Sequence, residues 1–161
     1  MEDVKGLISI LESMLDAHKR LLDTANAKRT LLVEGDTNGL KNLVHQESSI
    51  VDEIQKLEQQ RKQFVKTYMD QKGLSDQSFT LDEVMNIPGN PLVKNSLQSI
   101  AKQLHDLIKE ITHLNESNQQ LIQASLSYVQ YSIGMLVKKE PTIGYGPKSG
   151  GRYSNMLDAK I

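Results

Sequence analysis

The chain has no cysteine and no tryptophan, and aromatic residues make up 4% of its 161 positions. Without cysteine there is no disulfide framework, no thiolate metal site and no thiol nucleophile. With so few rings, the predicted core is a thin aliphatic one. No apolar run approaches the roughly 20 residues needed to cross a bilayer. The opening MEDVKGLISILESMLDAHKR begins acidic and alternates apolar with charged residues, which argues against a secretory signal and predicts a cytoplasmic chain. Net charge is -1, so a generic polyanion or nucleic-acid binder is excluded. The charge is uneven, however. From Lys138 onward five Lys/Arg stand against Glu140 and Asp158, a balance of +3 that leaves the preceding body acidic.

What is present is helical periodicity on a long scale. Val4, Leu7, Leu11, Met14, His18, Leu21, Ala25, Lys28 and Leu32 follow alternating steps of three and four, the spacing of a narrow coiled-coil seam. Gly35 supplies a C-terminal stop and Asp36 an N-cap, so a second helix returns antiparallel through a very short connection. Its seam is Leu40, Leu43, Glu47, Ile50, Ile54, Leu57, Arg61, Phe64 and Tyr68, ending before Gly73. Thr80 and Glu83 form a capping box for a short linker helix. Asn90 and Pro91 open the third long helix, with Val93, Leu97, Ile100, Leu104, Leu107, Ile111, Leu114, Asn118 and Leu121 in its seam. Beyond Asn118 the stripe moves over by one residue and continues through Ile122, Leu126, Val129, Ile133 and Leu136, as at a coiled-coil stutter.

The predicted fold is therefore all-α: an elongated antiparallel three-helix bundle or coiled coil with a short linker helix and a flexible C-terminal tail. The expected helices are 2–34, 37–72, 81–87 and 91–138, forming a bundle over 1–140, with the tail at 141–161. The hairpin is about 50 Å long and the third helix about 70 Å, so part of the third helix is expected to outreach its neighbours unless it kinks.

Catalytic chemistry is hard to find. Glu110 and His113 make one Glu-x-x-His pair, but a di-iron bundle needs a second pair and two further carboxylates. His18 falls in an apolar seam, where a partly covered histidine is the expectation. No nucleophilic triad and no phosphate loop is present, so neither an enzyme nor a cofactor binder is predicted. Glu47 and Arg61 are polar seam positions. In a hairpin turning near Asp36, Glu47 is expected near Lys28 and Arg61 near Glu12, as edge ion pairs or as pins of the register.

The stretch from Leu114 to Leu136, LNESNQQLIQASLSYVQYSIGML, is the most informative. Asn115 and Asn118 are poor helix formers, and an amide at the seam position of Asn118 suits a place where the seam opens to water or to a partner's backbone. Leu121, Ile122, Leu126, Val129 and Ile133 form one apolar face, with small Ser125 beside them. This face either receives a partner or packs on the hairpin or on a second copy of the chain; the first reading is preferred.

The order of these features resembles the FlgN family of flagellar export chaperones over nearly the whole chain. The likeness rests on AKRTLLVEGDTNGLKNLVHQE at 27–47, LEQQR at 57–61, the 114–136 helix and a tail with TIGYGPKSG at 142–150. It implies an all-helical cytoplasmic chaperone without catalysis or cofactor. It also implies that the clients are the hook–filament junction proteins FlgK and FlgL, held by their C-terminal amphipathic segment and delivered to the cytoplasmic domain of the export gate FlhA. The expected partner-binding residues are Asn115, Asn118, Leu121, Ile122, Ser125, Leu126, Val129 and Ile133, with Tyr145 in the tail as an aromatic anchor. The alternative is a coiled-coil adaptor that homo-oligomerises through the same stripe without a role in export, and a homodimer stays open under either reading.

Overall fold

The structure is a computed structural model that describes residues 2–74, 81–86 and 89–139. Its elements are α1 (Glu2–Glu34), α2 (Thr37–Gln71), α3 (Leu81–Asn86) and α4 (Pro91–Lys139), and no strand occurs among the described residues. The protein is an all-α helical bundle. The chain divides into two compact units, Met1–Asn118 and Gln119–Ile161. The expected tail at 141–161, including Tyr145, and the capping residue Thr80 lie outside the described residues.

The turn between α1 and α2 follows from two adjacent residues. Gly35 takes φ +71°, a left-handed conformation that costs a glycine nothing, and the Asp36 amide then reaches back to the Leu31 carbonyl at 3.1 Å. The Asp36 carboxylate accepts from the Gly39 amide at 2.9 Å and so caps α2. Asn90 does the same for α4, its side-chain oxygen accepting from the Leu92 amide at 3.0 Å.

The hairpin is antiparallel, as its cross-helix pairs establish. Arg20 reaches Glu53 at 2.7 Å and Lys28 reaches Glu47 at 2.5 Å. The second pair is the one expected from the position of the turn. Arg61 behaves differently: its guanidinium makes two 2.7 Å bonds to Glu58 on its own helix rather than meeting Glu12. Three residues along a helix is a shorter reach than a crossing to α1, and both carboxylate oxygens are engaged. Near the open end α1 and α2 approach closely at Gly6, where an added Cβ would lie 2.6 Å from the Phe64 ring.

The core of the first unit joins all four helices. Leu7, Leu11 and Met14 of α1 pack with Tyr68 and Met69 of α2, Val84 of α3, and Leu97, Ile100 and Leu104 of α4. Leu7, Leu11 and Leu97 are the largest fully buried side chains, each contributing about 1.5–3 kcal/mol by withdrawal from water. This core is concentrated at one end of the hairpin. From Asn26 to Thr67 no residue is buried, and Tyr68 and Met69 are the buried residues of α2.

Two buried polar residues of α1 satisfy themselves locally. His18 is buried with Nδ1 2.6 Å from the Met14 carbonyl oxygen. Thr24 donates from Oγ1 to the Arg20 carbonyl at 2.8 Å. These bonds answer the requirement that enclosed polar atoms find partners.

Candidate docking face on the last long helix

Asn118 closes the first unit. Its side chain is only 2% exposed, and Nδ2 donates to the Ala25 carbonyl oxygen at 3.0 Å, while Oδ1 is buried without a hydrogen-bond partner. The expectation that this amide sits where the seam opens to water or to a partner is thereby corrected. Ala25 is small, and the space beside it admits the amide to the backbone of α1. Next to it, Arg29 donates to the Ser117 hydroxyl, a second polar tie between α1 and α4. Asn115, by contrast, is exposed.

In the second unit the apolar stripe is open to different degrees. Leu121, Leu126 and Ile133 are half-buried, Ile122 and Val129 are exposed, and Ser125 is exposed between them. Several side chains outside the expected set are more open still. Tyr128 is 72% exposed, Tyr131 68% and Leu136 66%, and Met135 and Val137 are also exposed. Leu121, Tyr128 and Met135 recur every seventh residue, as do Ile122, Val129 and Leu136, so two apolar stripes run side by side along α4. The second unit thus carries a broad apolar arc with little cover. The heptad spacing of Tyr128 with Leu121 was available in the sequence; its exposure was not, because cover depends on the other helices.

The polar residues within this face have one property in common. From Ser117 to Val137 there is no Asp, Glu, Lys, Arg or His, although 24% of the whole chain is charged. The polar positions are Gln, Ser, Asn and the two tyrosines. Glu116 and Lys138 mark the limits of this uncharged stretch. Within α4, Ser132 turns its hydroxyl inward to the Tyr128 carbonyl at 2.9 Å.

Other sites are less suited to a ligand. A recess lined by Val4, Leu7, Phe64, Tyr68, Val84 and Leu97 holds about 10 Å³, far below the size of a small-molecule site. Glu110 and His113 are exposed on α4, and no group of three or more His, Asp or Glu side chains that could hold a metal occurs among the described residues. No described helix is long and apolar enough to cross a membrane.

The electrostatics of the hairpin are those of surface pairs. Hydrogen bonding to Arg61 holds the Glu58 carboxyl below its ordinary value, and Glu58 in turn raises the Arg61 guanidinium. Arg20 is raised by its bonds to Glu53 and Asp16. None of these groups faces a cleft, so their arrangement is that of structural ion pairs.

Comparison with known protein families identifies one. The model of the family described as FlgN protein matches residues 1–152. The YvyG protein of Bacillus subtilis (strain 168), itself described as uncharacterized, is 26% identical over 141 residues, covering 88% of this chain and 85% of that protein. No solved structure matches.

Proposed function

The chain belongs to the FlgN family of flagellar export chaperones, and we propose that its clients are the hook–filament junction proteins FlgK and FlgL. The observation that carries this reading is the row of exposed apolar side chains on α4, Ile122, Tyr128, Val129, Tyr131, Met135, Leu136 and Val137. Filament-type subunits that polymerise through amphipathic terminal helices carry apolar faces that need cover before assembly. A long helix with an uncovered stripe supplies that cover by helix-to-helix packing.

In this reading the client contributes its C-terminal amphipathic segment, and Leu121, Ile122, Ser125, Leu126, Val129 and Ile133 receive it. Asn118 serves from below, by fixing the register of α4 on α1. Contact of some 800 Å² per partner suffices for specific binding, and the entropy lost on ordering the client keeps the complex exchangeable. Release follows at the cytoplasmic domain of the gate protein FlhA, with the basic tail around Tyr145 as the contact. The chaperone acts in the cytoplasm, by binding alone.

The test is co-purification with FlgK and FlgL, followed by mass measurement at several concentrations with and without client. A defined complex with either protein supports the reading. Concentration-dependent self-association with no client complex overturns it in favour of a coiled-coil adaptor.

A further inference from the structure

We infer that the helix seated on this face of α4 presents an uncharged contacting side: apolar residues edged by Ser, Thr, Asn, Gln or Ala, with no Lys, Arg, Asp or Glu over about 30 Å. The inference rests on the client reading above and specifies what kind of segment that site selects.

The argument is one of charge matching. Where α1 meets α2, the contact is edged by cross-helix ion pairs, Arg20 with Glu53 and Lys28 with Glu47. Arg20 and Lys28 of α1 thus find counter-charges on α2. The face from Ser117 to Val137 offers none. At the chain-wide 24%, a stretch of this length would hold about five charged residues, so the absence is a feature of this segment. A partner Lys or Glu brought against Leu121, Ile122 and Val129 would lose its water and gain no counter-charge. The segment therefore selects by exclusion.

The neutral polar groups supply the positive half of the selection. Ser125 in the middle of the face and Gln130 at its edge each carry donor and acceptor capacity, which suits amides and hydroxyls on the partner. The Tyr128 and Tyr131 rings add apolar area with a hydroxyl at the end, and both are open to a partner. On α4 itself charge lies only at the ends, at Glu116 and at Lys138 and Lys139, and Arg29 of α1 meets the near end at Ser117, so a bound segment keeps its own charges at or beyond those limits. Association of this kind is insensitive to salt and proceeds without electrostatic steering.

A second copy of α4 would also meet the criterion, since its own face is uncharged, and the experiment separates the two. Purified FlgK and FlgL are titrated onto the intact chain in low and high NaCl, with Ser125→Glu and Ser125→Gln in parallel. Circular dichroism checks that both variants keep their helicity. Ser125 is exposed in the middle of the face, within one turn of Leu121, Ile122, Tyr128 and Val129. The expected result is a Kd that changes by less than about twofold between roughly 50 and 500 mM salt. Ser125→Glu should weaken binding by at least about tenfold, and Ser125→Gln should stay near the parent. A tenfold salt effect, or a Ser125→Glu chain that binds as the parent does, overturns the inference while leaving the client reading intact. Absence of any binding by the parent chain removes both. Sedimentation of the chain alone is the last arm, and a stable dimer that Ser125→Glu dissociates would assign the face to a second copy instead.

Discussion

The side-chain amide of Asn118 donates to the carbonyl oxygen of Ala25 at 3.0 Å, tying α4 to α1 across most of the first unit's sequence. The bond is buried, and the other half of the same amide, Oδ1, has no partner. A buried hydrogen bond contributes about 1 kcal/mol, whereas an unsatisfied buried acceptor costs about 1–3 kcal/mol. The two terms largely offset each other, so the amide is expected to add little to stability and to act chiefly on register. Asn118→Leu should raise the melting temperature by about 2–4 °C, which is about 1 kcal/mol for a chain of this size. Asn118→Asp should lower stability by about 3 kcal/mol at neutral pH through an enclosed charge. Thermal melts of both variants check this, and a destabilised Leu variant would show the amide to be net favourable.

Lys28 and Glu47 make the cross-helix pair nearest the turn, both side chains being partly covered. Glu47→Ala should cost up to about 1 kcal/mol, and Arg61→Ala a similar amount through loss of the bonds to Glu58. Client affinity should follow only through stability. A selective loss of client binding at unchanged melting temperature would bring the hairpin into the site.

Glu58 contributes to the acid side of the stability curve. Its folded-state carboxyl is held below the ordinary value of 4.5 by Arg61. The unfolded chain thus takes up the proton first as pH falls. The stabilisation from this pair is complete above about pH 4.5 and is lost as pH drops through the lowered folded value. Glu58→Gln should flatten that part of the curve and change little in slope above it. Denaturant melts at a series of pH values between about 2 and 7 measure the difference.

The docking face yields a prediction of a different kind. Val129 is exposed, so Val129→Asp should leave helicity and melting temperature close to the parent while abolishing binding of FlgK and FlgL. Leu126 is half-buried, and Leu126→Asp should do the same with a small loss of stability. Unaltered client affinity in a folded Val129→Asp chain would move the site elsewhere.

The tail carries the last prediction. Deleting everything after Glu140 removes Tyr145 and most of the basic balance. The truncated chain should keep its melting temperature, and its affinity for client or gate should fall. Tyr145→Ala should reproduce part of that fall. Equal binding and equal export by the truncated chain would leave the tail without a role.

The helical class and the hairpin were readable because local rules carry them. Gly35 followed by Asp36 is a stop and a start, Asn90 and Pro91 are a second start, and the three-and-four spacing leaves no other period open. The Lys28–Glu47 pair followed from the turn position alone. Arg61 did not, because a long side chain chooses among neighbours by rotamer and reach, and Glu58 was nearer than Glu12. Asn118 was readable as a polar seam residue but not as a buried one, since its fate depends on Ala25 lying opposite in a register that no local rule sets. Tyr128, Tyr131, Met135 and Val137 escaped the expected site for the same reason: an apolar helical position looks alike whether or not a neighbour covers it.

The stretch from Asn26 to Thr67, with no buried side chain, governs how the molecule comes apart. Opening free energy scales with the apolar contact a region must give up, so this part of the hairpin should open at a lower free energy than the end held by Leu7, Leu11 and Leu97, as amide hydrogen exchange would show. The hairpin is thus well packed at one end and lightly packed at the other. In the chaperone role proposed above, such grading along the hairpin suits a protein that has to let go of what it carries.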